Sequence, residues 1–307
     1  MQLNFILCPS YHGATLLSLL LNNHSRISSL GDTLPPRKPD VTCACGEKVS
    51  KCEFWIKIEE RLHTDNYANL DRLLPWYPIL VRNPSRNTKI NRIIEKAVFA
   101  GLPASLAIRS IWRNAKVFND ISIEFSRTVC DIAGTDLFID SKKPMISVIV
   151  QSILDKAKNL KVLHIVRDPR GFAFSSKKHK KSVSLDQICK NWTMYHRNTI
   201  KLNSILNEVN ILTVRHEDLC DDPETTMRKI FKHFGVGYEN VFCPPINPLK
   251  HHLIGNRGTL ERFDGEVRCD DTWRTTLSKE EQKEILELTY PLSDKYGYYL
   301  SETNLQS

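Results

Sequence analysis

Four short apolar runs, each stopped by a polar or charged turn and followed by a helical stretch, limit what this chain can become. Leu3–Leu7 leads into Pro9-Ser10-Tyr11-His12-Gly13-Ala14-Thr15 and a leucine-rich helical stretch, Ala14–Asn23. Leu137–Ile139 leads into Asp140-Ser141-Lys142-Lys143-Pro144, ahead of Met145–Ala157. Val162–Val166 (VLHIV) leads into Arg167-Asp168-Pro169-Arg170 and then Gly171–Lys178, and Ile211–Val214 precedes a helix from Asp222 to Phe234. Ile27–Leu30 is a further short strand candidate. Short β-branched runs bounded by turn residues read as strands. Strands alternating with helices predict an α/β fold, with a central, mostly parallel sheet and helices on both faces. Such sheets bind ligands beyond the carboxyl ends of their strands, so the residues just after each strand come first.

The 307 residues are enough for about two domains, or for one large α/β domain with an insertion. The second reading fits better. Residues from about 54 to 132 are mostly helical, and Ser105–Cys130 carries apolar side chains at three- and four-residue spacing, from Leu106 and Ile108 to Ile121 and Phe125. They read as a helical insertion or lid within a single domain, 1–307. Pro223 after Asp222, Gly235 after Phe234, and Ser278 with Glu281 three residues on mark helix ends. Cys243–Val267 reads as a long loop. Net charge is +8, which favours anionic partners without choosing among them. No targeting segment precedes the first strand, and Ala14–Leu21 is too short to span a bilayer. The expectation is a cytoplasmic protein with most of its nine cysteines reduced.

The turn after the first strand offers backbone N–H groups at a helix start and the Thr15 hydroxyl. The turn after Val166 offers the guanidinium of Arg167, suited to bidentate contact with phosphate. Two anion sites along one sheet edge predict a ligand with phosphate groups at both ends. The pattern GxxxxGK[ST] is absent, so an ordinary ATP- or GTP-hydrolysing loop is not expected.

Four stretches resemble the sulfotransferases that use 3'-phosphoadenosine 5'-phosphosulfate (PAPS). CPSYHGATLL is similar to their 5'-phosphosulfate loop, and VLHIVRDPRGFAFSS to their 3'-phosphate motif. TVRHEDLCDDPETTMRKIFKHFG resembles a segment of many bacterial members, and HLIGNRG their late Gly-Asn loop. The resemblance implies a P-loop-like three-layer fold and sulfuryl transfer from PAPS that needs no metal. It implies donor contacts from Tyr11, His12, Gly13, Ala14, Thr15 and Leu16, from Arg167 and Ser175 eight residues apart, and from Gly255, Asn256 and Arg257.

In place of the Lys or Arg that family members commonly carry in the first turn, this chain has Tyr11-His12. His12 is either a hydrogen-bonded turn residue or the group that stabilises the departing phosphate. Lys142 either supplies the missing charge or is a solvated lysine. The acceptor's proton needs a base. Asp32 stands where many members carry a Glu and is the first candidate; His24 is an alternative, and a plain loop or cap role is the ordinary reading of Asp32.

Cys43-Ala44-Cys45 with Cys52 matches part of a zinc ligand set, but no fourth ligand is apparent from spacing. A structural turn is the preferred reading, with a disulfide or a metal as alternatives. Lys177–Lys181 reads as a solvated helix end and not a nucleic-acid site, and Trp273-Arg274 as packing. The expected acceptor is a small molecule of natural-product type, a guanidinium alkaloid being one conceivable case. No nucleic-acid or membrane partner is expected, and oligomeric state is not readable. The alternatives are a nucleotide-binding protein that has lost chemistry and a phosphoryl transferase.

Overall fold

The computed structural model describes residues 3–31, 42–64, 88–141, 144–154, 160–180, 182–206, 209–243, 251–252 and 255–298. Five strands form one sheet: β1 (Asn4–Leu7), β2 (Ile27–Ser28), β3 (Leu137–Asp140), β4 (Leu160–Val166) and β5 (Val209–Arg215). Their order is β2-β3-β1-β4-β5 and every pairing is parallel. β1 is therefore central, with β3 on one side and β4 on the other. Its carboxyl end opens between Asp140 and Arg167, at the edge where such sheets bind ligands.

The side chains of β1 alternate between two layers, as the two-residue period of a strand requires. Phe5 and Leu7 face a core built from helices Glu53–Thr64, Thr88–Phe99, Trp112–Ala133 and Met145–Leu154. Ile6 and Cys8 face the other side, against helices Ala14–Asn22 and Pro223–Phe234. Buried on both faces, β1 and β4 read as nearly continuous apolar runs. A third cluster, around Trp192 and Ile285, joins helices Pro169–His179, Leu185–Ile205 and Lys279–Thr289.

The helices of the expected insertion share the core with the sheet. Phe118, Ala115 and Ile121 are fully buried, whereas Leu106 (53% exposed) and Trp112 (46%) are not. The apolar spacing does not begin as one helix at Ser105. Short turns span Ala104–Ala107 and Arg109–Ile111, and the continuous helix starts at Trp112. The late loop also differs from its reading, since Arg257–Arg262 is helical and capped by the Asn256 side chain. No helix among the described residues is long and apolar enough to cross a membrane. One disulfide joins Cys220 to Cys269.

Candidate active site

The turn after β1 is built by backbone geometry. Gly13 lies in the left-handed region at φ 81° and caps the helix Ala14–Asn22 with no side-chain partner. Tyr11 also has a positive φ, 68°, which costs a bulky residue about 1–2 kcal/mol. Its ring stacks on His179, with centroids 5.2 Å apart. The first bond inside the helix runs from the Leu17 N–H to the Gly13 carbonyl, at 3.0 Å. The N–H groups of Gly13, Ala14, Thr15 and Leu16 thus lie ahead of that ladder at a helix start, where an anion is favoured.

Arg167 ties this turn to the end of β4. Its Nη1 donates to the Tyr11 carbonyl at 2.8 Å, and Nη2 donates to the Asp270 carbonyl at 3.1 Å. Trp192 Nε1 donates to the Arg167 carbonyl at 3.0 Å. Among the described residues no carboxylate forms an ion pair with this guanidinium. The neighbouring Asp168 caps the next helix and holds Arg170 at 2.7 Å instead. Three of Arg167's five N–H donors remain after the two carbonyls. Gly171 lets the Trp273 indole and this guanidinium pack close to the helix: an added Cβ would stand 3.0 Å from Trp273 Nε1 and 3.3 Å from Arg167 Nε. Ser175 is half-buried farther along the helix Pro169–His179.

The late loop closes on the same turn. The Asn256 N–H donates to Thr15 Oγ1 at 3.0 Å, and a Cβ on Gly255 would stand 2.8 Å from Thr15 Cγ2. Arg257 begins the helix that Asn256 caps. Asp32 and Lys142 lie outside the described residues.

His12 is 1% exposed, and both of its ring nitrogens are engaged. Nδ1 must donate to the Ser10 carbonyl at 3.0 Å, because a carbonyl only accepts. Nε2 of the neutral ring then accepts from His196 Nε2 at 3.1 Å. By the same logic His196 Nδ1 accepts from His164 Nε2 at 2.7 Å, and His164 Nδ1 accepts from the Thr213 hydroxyl at 3.1 Å. The chain of three imidazoles has one consistent polarity with every ring neutral. Burial lowers all three pKa values, that of His164 to about 3. In this arrangement His12 has no ring N–H left to offer a phosphate oxygen.

His216, the first residue after β5, was not singled out by the sequence reading. A Cβ on Gly13 would stand 2.5 Å from its Nδ1, so only glycine fits there. Among the described residues that buried Nδ1 has no hydrogen-bond partner, which leaves an unsatisfied polar atom beside the turn. Burial first and the Arg167 charge second lower the His216 pKa to about 3. The rule that pointed to the ends of β1 and β4 would have found it at the end of β5.

A cleft of about 390 Å³ borders the turn at Ser10 and Tyr11 and runs to Glu95, Phe172 and Tyr195. Burial raises the Glu95 pKa, while its Oε1 accepts from the Ile146 N–H at 2.8 Å. Aromatic residues of the helical insertion could also contact an acceptor; of these, Phe118 belongs to the core and Trp112 is half exposed, while Trp76 and Tyr77 lie outside the described residues.

The profile of the sulfotransferase family matches residues 5–240, most of the chain. The chain belongs to the sulfotransferase family. This sulfotransferase is also similar in fold to two solved domains. The sulfotransferase domain of the Synechococcus PCC 7002 olefin synthase aligns with TM-score 0.57 and 16% identity, over 98% of this chain and 96% of that one. The sulfotransferase domain from the curacin biosynthetic pathway aligns with TM-score 0.53 and 14% identity, over 98% and 99%. The α/β expectation and the family resemblance agree with these findings.

Proposed function

We propose that this sulfotransferase moves a sulfuryl group from PAPS to a hydroxyl or an amine or amide nitrogen of a small-molecule acceptor. The observation that carries the reading is the Arg167–Tyr11 hydrogen bond, which sets a guanidinium free of carboxylate partners beside a turn of helix-start N–H groups. One PAPS molecule then lies across the carboxyl edge. Its 5'-phosphosulfate rests on the N–H groups of Gly13 to Leu16, with Thr15 and His216 beside it, and its 3'-phosphate meets Arg167 and Ser175. Gly255, Asn256 and Arg257 close over the nucleotide.

The transfer is an in-line displacement. The acceptor oxygen or nitrogen forms a bond to sulfur while the bond from sulfur to the 5'-phosphate oxygen breaks. The acceptor's proton passes to Asp32, and 3'-phosphoadenosine 5'-phosphate (PAP) departs. Negative charge grows on the departing phosphate, where the fixed N–H dipoles stabilise it. Lys142 adds a positive charge there. His12 holds the turn from behind through Ser10 and His196. The cleft beside Ser10 and Tyr11 has the size of a small-molecule site. The two solved neighbours come from an olefin synthase and the curacin pathway, which supports an acceptor of natural-product type.

One observation favours a second reading, a protein that binds the nucleotide without chemistry: the turn carries no lysine or arginine, and His12 is neutral and engaged. Transfer of labelled sulfate from PAPS to a panel of alcohols and amines separates the two. Asp32→Asn is expected to keep PAP affinity and to lower turnover by at least ~100-fold. Normal turnover in that variant removes Asp32 as the base, and PAP binding with no transfer to any acceptor supports the second reading.

A further inference from the structure

A cluster of three cysteines and one histidine stands apart from the turn after β1. Cys43, Cys45, Cys52 and His251 place one donor atom each within 4.8 Å of all the others. His251 Nδ1 lies 3.4 Å from Cys43 Sγ and 3.2 Å from Cys52 Sγ, and Cys45 Sγ lies 3.6 Å from Cys52 Sγ. Zinc at its usual bond lengths, in a tetrahedron, sets sulfurs about 3.8 Å apart and sulfur and nitrogen about 3.5 Å apart. The four donors already converge to nearly those separations. We propose that these residues form a structural zinc site, with three thiolates and one imidazole closing the coordination shell.

The surrounding backbone is shaped for it. The Cys43 N–H donates to the Glu47 carbonyl at 2.8 Å, the Gly46 N–H returns to the Cys43 carbonyl at 2.9 Å, and Thr42 bridges Lys48. This tight hairpin brings Cys43 and Cys45 to one side, and Cys52 follows just before the helix Glu53–Thr64. The His251 ring lies flat on Phe54, centroids 4.1 Å apart and planes 4° from parallel, which fixes where its Nδ1 points. A disulfide would join two of the sulfurs and leave the third and the imidazole without a purpose. The Cys₃His set with tetrahedral spacing selects zinc over harder cations, and four protein ligands leave no position for a substrate.

The site fastens the late loop. Its hairpin also holds the next residue, through the Ala44 N–H to the His252 carbonyl at 2.9 Å, and His252 Nε2 reaches Ser18 Oγ of the first helix at 3.3 Å. Three residues on, Gly255 and Asn256 meet Thr15. Zinc thus anchors the segment that closes the phosphosulfate turn, although its presence does not depend on which reaction the protein performs.

Elemental analysis of the full chain, purified without chelators, is expected to find one zinc per chain. Cys52→Ser and His251→Ala should each lose most of it, and Cys189→Ser, in a different part of the core, should keep it. Metal-stripped native chain titrated with Co²⁺ should develop the visible bands of tetrahedral cobalt and a thiolate-to-cobalt charge-transfer band. Stripping should also lower the melting temperature and weaken PAP binding several-fold, with both restored by zinc. The proposal is overturned if the native chain holds no zinc and gives no thiolate–cobalt spectrum. It is equally overturned if His251→Ala retains full zinc, or if intact mass shows two of the three cysteines joined as a disulfide. Zinc content is read without any transfer assay, so its failure is distinguishable from failure of the PAPS reading.

Discussion

The turn at 9–15 and the cysteine hairpin at 42–52 are both tight loops with a glycine in the left-handed region, Gly13 at φ 81° and Gly46 at φ 96°. They do opposite things with it. At Gly13 an added Cβ would meet His216 Nδ1 at 2.5 Å, while at Gly46 it would meet nothing within 4 Å. The first loop uses the missing side chain to let the His216 imidazole come close to its backbone. The second uses only the backbone freedom, and its side chains turn the other way to gather around His251. A phosphate can be held by main-chain dipoles, whereas a soft metal needs thiolates and imidazole from distant parts of the chain.

The comparison breaks most visibly at Gly13. Gly13→Ala combines a left-handed strain with a clash against a buried imidazole. It should weaken PAP binding by at least ~100-fold, or about 2.7 kcal/mol, measured by calorimetric titration. Near-native affinity would show that the close approach to His216 is dispensable.

A pH-dependent effect on stability follows from the imidazoles behind and beside that turn. His164 and His216 are held neutral to a pKa of about 3, by burial and, for His216, also by the Arg167 charge. In the unfolded chain a histidine titrates near about 6.5. Above that pH both states are neutral and these groups contribute no pH dependence. Below it the unfolded chain takes up protons that the folded chain refuses down to about pH 3. Stability should therefore fall as pH drops through this window, by up to about 1.4 kcal/mol per pH unit for each group. Urea midpoints taken from about pH 8 to about pH 5 should show a plateau and then a decline. A flat profile would mean that the imidazole chain is not neutral and buried.

The smallest effect belongs to Gly46→Ala, where only backbone strain changes. A loss of about 1–2 kcal/mol, a few degrees in melting temperature, is expected with PAP affinity intact. A collapse of the fold would instead mean that the hairpin has neighbours that a Cβ disturbs.

The two loops also differ in how far the sequence discloses them. The strand, turn and helix around Gly13 are signalled by residues within a few positions of it, so they are readable in order, whereas the contacts that hold the turn come from distant residues. The helix caps at Asp222 and Ser278 are local in the same way and appear in the structure. Arg167 was readable from its place after a strand, and its contact with Tyr11 follows from β1 and β4 being neighbours. His251 lies 199 residues from Cys52, and nothing in CxC spacing points to it. Glu95 and the Asp270 carbonyl are likewise brought in by packing alone. β4 and β5 each begin two residues earlier than their apolar runs, because Lys161 and Asn210 pair across the ladder although neither is apolar. Hydrophobic pattern reports burial, and these two backbone positions are fixed by hydrogen bonding to the neighbouring strand.

The central claim is that one donor molecule is gripped at both ends, by the β1 turn and by Arg167. Titrating PAP and AMP, which lacks the 3'-phosphate, into the native protein and into Arg167→Ala tests it directly. The account predicts that the native protein prefers PAP over AMP by roughly 100-fold and that this preference nearly disappears in the variant. An equal preference for PAP in both proteins would contradict it.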